Sequence, residues 1–144
     1  MKAVIDTNII FSTLLKRESK IKTFILDPSN ELYSCNFIFV ELFKYKDRIE
    51  EISELDFDDI LTLMRILFSK IRFIREKIIP PEIAKQAHEL CSKIDEKDTP
   101  FIALSLFLNI PLITRDKKLI NGLKEKGFEK VILLESIFTN SSDE

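Results

Sequence analysis

Histidine and cysteine are scarce in this chain of 144 residues: one His and two Cys are its entire supply of soft metal ligands. Cys35 and Cys91 lie far apart and belong to no metal-ligand spacing, and His88 falls in the middle of a helical pattern. That distribution argues against a zinc site. The two thiols sit among apolar residues and read as buried cysteines of a reducing compartment. An excess of positive charge is also missing. With 22 basic and 24 acidic side chains, the net charge is −2, so nucleic-acid binding driven by bulk charge is not indicated, although a local basic patch is compatible with it. No stretch approaches the roughly eighteen apolar residues of a membrane span. The first apolar segment contains Asp6 and lacks a small-residue cleavage site, unlike a secretory signal. These absences lead us to expect a cytoplasmic protein with no membrane association.

What is present is ample core material. Apolar residues make up 45% of the chain, twelve of them Phe, enough for one domain over residues 1–139 that folds without staples. Residues 140–144 read as a disordered polar tail. Val4 and Ile5 suit a strand covered on both faces, Asp6 interrupts them, and Thr7 and Asn8 can cap a first helix over residues 9–16. Ser19 caps a second helix ending at Leu26, and residues 31–35 form a second strand. A stripe of Ile38, Leu42, Tyr45, Ile49 and Ile52 then predicts one long helix capped by Asn36. Asp56 opens another helix, which makes a helical arm on the sheet. Residues 72–79 are an edge strand or an extended connection, and Pro81 begins a helix through Lys93. With Thr99 as cap and Pro100 at the first helical position, an almost wholly apolar helix follows. Strands at residues 111–114 and 131–134 flank a last helix over 117–126, ended by Gly127. Strands alternating with helices give an α/β class, a mostly parallel sheet of four or five strands.

Carboxylates mark the element boundaries. Asp6 follows the first strand, Asp116 follows the strand ending at Thr114, and Asp98 precedes the apolar helix three residues after Asp95. Parallel strands bring their C-terminal ends to one edge, so Asp6 and Asp116 open onto it together, and Glu41 reaches it from its helix. Four carboxylates without counter-charges repel one another, and a divalent cation resolves the conflict. All-oxygen ligation favours Mg²⁺ or Mn²⁺. One or two such ions serve phosphoryl chemistry by activating water and stabilising charge on the attacked phosphate. Asp6, at the end of a central strand, is the candidate bridge. Arg115 and Lys117 flank the cluster and can contact phosphate.

With these residues assembled, the sequence resembles the PIN-domain family. The matching pieces are Val4-Ile5-Asp6-Thr7-Asn8, Val40-Glu41-Leu42, the run from Asp95 through Asp98-Thr99-Pro100-Phe101-Ile102-Ala103-Leu104, and Thr114-Arg115-Asp116-Lys117-Lys118-Leu119. They occur in the family's order over nearly the whole chain, with Asn36 where relatives often have Pro. The resemblance implies a three-layer α/β/α Rossmann-like fold and a Mg²⁺- or Mn²⁺-dependent endoribonuclease. In it Asp6, Glu41, Asp98 and Asp116 are the acidic quartet, Thr114 a supporting hydroxyl, and Asn8 and Asp95 accessory residues. Many stand-alone domains of this size are VapC-type toxins of toxin–antitoxin pairs and form homodimers, so RNA, an antitoxin and a second copy are the implied partners.

Singly, each acid has an ordinary explanation as a helix cap or a solvated side chain; four at the places one metal site requires reverse those odds. Phe37, Phe39, Phe43, Phe68, Phe101 and Phe107 lie within apolar stripes and read as core or dimer contacts rather than base-stacking platforms. Two other functions compete. A haloacid-dehalogenase-like phosphatase also begins with a strand and an Asp, but needs a second acid where this chain has Asn8. A catalytically silent PIN-like module would bind RNA or protein without cutting.

Overall fold

The computed structural model describes residues 1–142, and its five strands form one sheet, all parallel, in the order β3-β2-β1-β4-β5. From β1 (Lys2–Ile5) the chain passes through α1 (Thr7–Leu15) and α2 (Lys20–Leu26) to β2 (Glu31–Cys35). Three helices, α3 (Phe37–Lys44), α4 (Lys46–Ile52) and α5 (Phe57–Lys70), form the arm that leads to the edge strand β3 (Arg72–Ile74). Then come α6 (Pro81–Cys91), α7 (Thr99–Leu108), β4 (Leu112–Thr114), α8 (Lys117–Glu125), β5 (Val131–Leu133) and α9 (Leu134–Ser142).

The alternation of side chains along β1 divides the core in two. Ala3 and Ile5 face a cluster built from α1 to α5 and Leu134, whereas Val4 faces one built from α6, α7 and α8. This is the three-layer sandwich expected of a parallel sheet buried on both faces. Ala3, Val4 and Ile5 are all fully buried, which stabilises the fold by roughly 1.5–3 kcal/mol for each of the two larger side chains. β1 is therefore a firm base for the residue that follows it. Among the described residues, no helix is long and apolar enough to cross a membrane.

Several local expectations are corrected. The stripe read as one helix breaks at Tyr45 (φ −104°, ψ 12°), giving α3 and α4, and Ile52 at the far end stands 46% exposed. Asn36 does not cap α3 with its side chain. Asp6, not Thr7 or Asn8, caps α1. α7 is preceded by a 3₁₀ turn (Glu96–Asp98) that runs straight into it, so Asp98 takes the cap position in an αR backbone and Thr99 is already helical. α6 stops at Cys91 rather than Lys93. Residues 140–142 of the expected tail continue α9, while Asp143 and Glu144 lie outside the described residues.

Candidate active site

β1 and β4 are adjacent, and the connections leaving them run to opposite sides of the sheet, to β2 and β5. That is a topological switch point, where a crevice opens beyond the strand C-termini. The pairing Ile5↔Ile113 aligns the two strand ends, so Asp6 and Thr114 come side by side.

Asp6 is 3% exposed, and each of its oxygens accepts a hydrogen bond. Oδ1 takes the Ile9 N–H at 3.2 Å, capping α1, and Oδ2 takes the Thr114 hydroxyl at 3.0 Å. Thr114 Oγ1 in turn accepts the Asp116 N–H at 3.2 Å, and Asp116 Oδ1 caps α8 through the Leu119 N–H at 3.1 Å. The ordinary capping roles of Asp6 and Asp116 therefore coexist with their meeting. Glu41, half-buried on α3, accepts a 2.6 Å hydrogen bond from the Thr7 hydroxyl. Asp95 caps the 3₁₀ turn through Lys97 N–H at 3.0 Å. Asp98 makes no such cap, so nothing draws its side chain back to the helix.

Carboxylate oxygens of Asp95, Asp98 and Asp116 lie within 4.8 Å of one another, all three residues half-buried. Burial is the main cause that pushes the Asp6 carboxyl up to about 6, against the pull of Thr114 and the Ile9 N–H; the charges of Glu41 and Asp116 add to it. Asp98 is pushed up to about 7, first by burial and then by Asp6, Asp95, Asp116 and Glu41. Asp98 thus feels the charges of the other three expected acids and of Asp95, whereas the oxygens that lie close to one another are those of Asp95, Asp98 and Asp116. Among the described residues the ion pairs are Lys2–Glu31 and Arg115–Glu135, and neither touches the cluster. A set of hard oxygen donors with no ion-pair partner among the described residues fits a hard divalent cation.

The other expected residues are placed as follows. Asn8 is exposed in the first turn of α1, and Lys117 is exposed at the start of α8. Arg115 is turned to α9 and α1, where its guanidinium donates to Glu135 at 3.0 Å and Ser12 at 2.8 Å. His88 is exposed on α6. Two positioning groups were missed. One is Thr7, whose hydroxyl holds Glu41; its place in the polar run after β1 was the only sign. The other is Glu76, whose carboxylate accepts the Phe37 N–H at 2.7 Å and so caps α3 in place of Asn36. Nothing in the sequence pairs residues 37 and 76. Burial, with the Glu76 charge nearby, pushes the Cys35 thiol up to about 12, and burial raises Cys91 to about 11. Both thiols are inert at neutral pH.

The profile of the PIN domain matches residues 4–135. A search of curated protein sequences finds no match. Among solved structures, the chain resembles PAE2754 from Pyrobaculum aerophilum (TM-score 0.66, 10% identity, covering 100% of this chain and 91% of that one). It also resembles VapBC2 from Rickettsia felis, bound to a DNA fragment from their promoter (0.63, 15% identity, 92% and 97%). A third is a toxin–antitoxin complex from Klebsiella pneumoniae (0.58, 20% identity, 90% and 95%). At these identities the structural likeness concerns the fold.

Proposed function

The chain belongs to the PIN-domain family, and from that premise we propose that it is a metal-dependent endoribonuclease acting as the toxin of a cytoplasmic toxin–antitoxin pair. What supports the proposal is the grouping of Asp95, Asp98 and Asp116, with the charges of Asp6 and Glu41 acting on Asp98 and no ion pair among the described residues to balance them. Asp95, Asp98 and Asp116 would hold a Mg²⁺ or Mn²⁺ ion, with Glu41 beside them. When bound, such an ion supplies Lewis-acid charge to the scissile phosphate and makes water a competent nucleophile near neutral pH.

The chain's own residues do the positioning. Thr114 joins Asp6 to Asp116 through its hydroxyl, fixing both strand ends in one geometry. Thr7 holds one oxygen of Glu41, leaving the other for the crevice. Asp6, with both oxygens engaged and almost no exposure, acts chiefly by its charge and by ordering its neighbours. Lys117, exposed beside Asp116, is placed to contact phosphate. Asn8 and Arg115 line the groove that adjoins the site.

A protein partner is supported by the apolar surface of the helical arm. Phe43, Val40 and Phe57 stand 72%, 60% and 54% exposed, and a cavity of about 490 Å³ opens between α3–α4 and α5. Surfaces of this kind are usually covered, here by an antitoxin or by a second copy of the chain.

Incubation with a panel of structured RNAs in Mg²⁺, Mn²⁺ or EDTA tests the proposal. We expect cleavage with either ion, none with EDTA, and none from Asp98→Asn with its fold intact. Cleavage that persists in EDTA would overturn the mechanism, and cation binding without any cleavage would favour a silent binding module.

A further inference from the structure

We propose that the groove between α1 and α4 is the seat of the single-stranded RNA flanking the cleaved phosphate, with Arg48 as its phosphate contact; this inference rests on the nuclease reading. The groove encloses about 430 Å³ and carries Asn8, Tyr45, Arg48 and Arg115 among its lining residues. That volume is within the range of roughly 300–1,000 Å³ typical of ligand sites.

Its position follows from the chain. Asn8 is two residues beyond Asp6, Arg115 immediately precedes Asp116, and Tyr45 lies one helical turn beyond Glu41, with its N–H bonded to the Glu41 carbonyl at 3.0 Å. Each of these three acids of the cluster therefore has a near neighbour in the groove wall. A strand cut at the acids has this groove as its continuation.

Charge selects the occupant. The groove's lining contains two arginines and no carboxylate. Four other cavities, of about 340 to 590 Å³, each have at least one Asp or Glu in the wall. In a chain with more acids than bases, a wall of one positive sign beside a negative centre is suited to a polyanion that must approach that centre. Arg115 is partly neutralised by Glu135. Arg48 is exposed and makes no ion pair among the described residues, which leaves its guanidinium for phosphate. The edge-to-face pair of Phe11 and Tyr45, centroids 5.6 Å apart, gives the floor an aromatic surface on which an unstacked base packs.

Binding and turnover separate this inference from the nuclease reading. Anisotropy of a short labelled single-stranded RNA in EDTA reads the groove alone, and steady-state cleavage with Mn²⁺ reads KM against kcat. Arg48→Gln is expected to raise both the Kd and the KM about tenfold, with kcat within about twofold. It should also lower the slope of log K against log salt by about 0.7, the loss of one phosphate contact. Arg48→Glu should weaken binding further, and Arg48→Lys should restore most of it. If the wild type cuts or binds RNA while Arg48→Gln and Arg48→Glu leave affinity, KM and salt slope unchanged, the inference fails and the nuclease reading stands. If no cleavage is seen but RNA binding still depends on Arg48, the nuclease reading fails and the groove is retained. Absence of RNA binding by the wild type, or a loss confined to binding of a protein partner, overturns the groove assignment.

Discussion

Asp98 is where protons and a cation compete most directly. Its carboxyl is pushed up to about 7 and that of Asp6 to about 6, both from an ordinary 3.8. In the cation-free protein the folded state therefore holds protons that the unfolded chain has already released between about pH 4 and pH 7. The resulting stability is fully present below the unfolded value and is lost as pH rises through the folded ones. Thermal melting in EDTA should show Tm falling across that window, and Asp98→Asn should flatten part of the fall and raise Tm at pH 8 by about 2–4 °C. A wild-type Tm that is level or climbs over the same range would contradict the account. Asp6, Asp98 and Asp116 were legible in the sequence because each stands at an element boundary, where parallel topology dictates the edge it faces, whereas Glu41 lies within α3 and was legible only through the family resemblance. Thr7, Glu76 and Arg48 were not. Thr7 and Glu76 act on residues 34 and 39 positions away, and Arg48 acquires a role only from a groove that two separate helices build.

At the scale of elements, α3 carries Glu41 and is anchored from outside itself. Glu76, in the 3₁₀ turn after β3, supplies the carboxylate at its N-terminus, where the helix dipole favours negative charge. Urea unfolding should show Glu76→Ala destabilising the protein by about 1–2 kcal/mol, and Asn36→Ala by less than about 0.5 kcal/mol. The reverse order would show that Asn36 is the true cap. The bend at Tyr45 was invisible because no Gly or Pro marks it and the apolar spacing of four and three continues unbroken across it. The end of α8 was visible for the opposite reason. Gly127 takes φ +88°, and the N–H groups of Gly127 and Phe128 bond back to the carbonyls of Lys124 and Leu123, a closure that favours glycine. Thr99 read as a cap because Thr before Pro commonly is one; the 3₁₀ turn running into α7 displaced it by a residue.

The whole molecule brings together acids as distant in sequence as Asp6 and Asp116 by setting β1 and β4 side by side at the switch point. The alternation of strand and helix signals announced the parallel sheet, and the buried pair Val4 and Ile5 announced a central strand. Strand order and the groove beside the acids depend on packing between distant segments, which no local pattern encodes. Calorimetric titration of Mn²⁺ into the protein at pH 7, in two buffers of different ionisation heat, tests the claim that the acids form one cation site. Saturable binding is predicted, with release of on the order of half a proton from the raised carboxyls and at least about tenfold weaker affinity for Asp98→Asn. Binding that does not saturate, or an affinity that Asp98→Asn leaves unchanged, would contradict it.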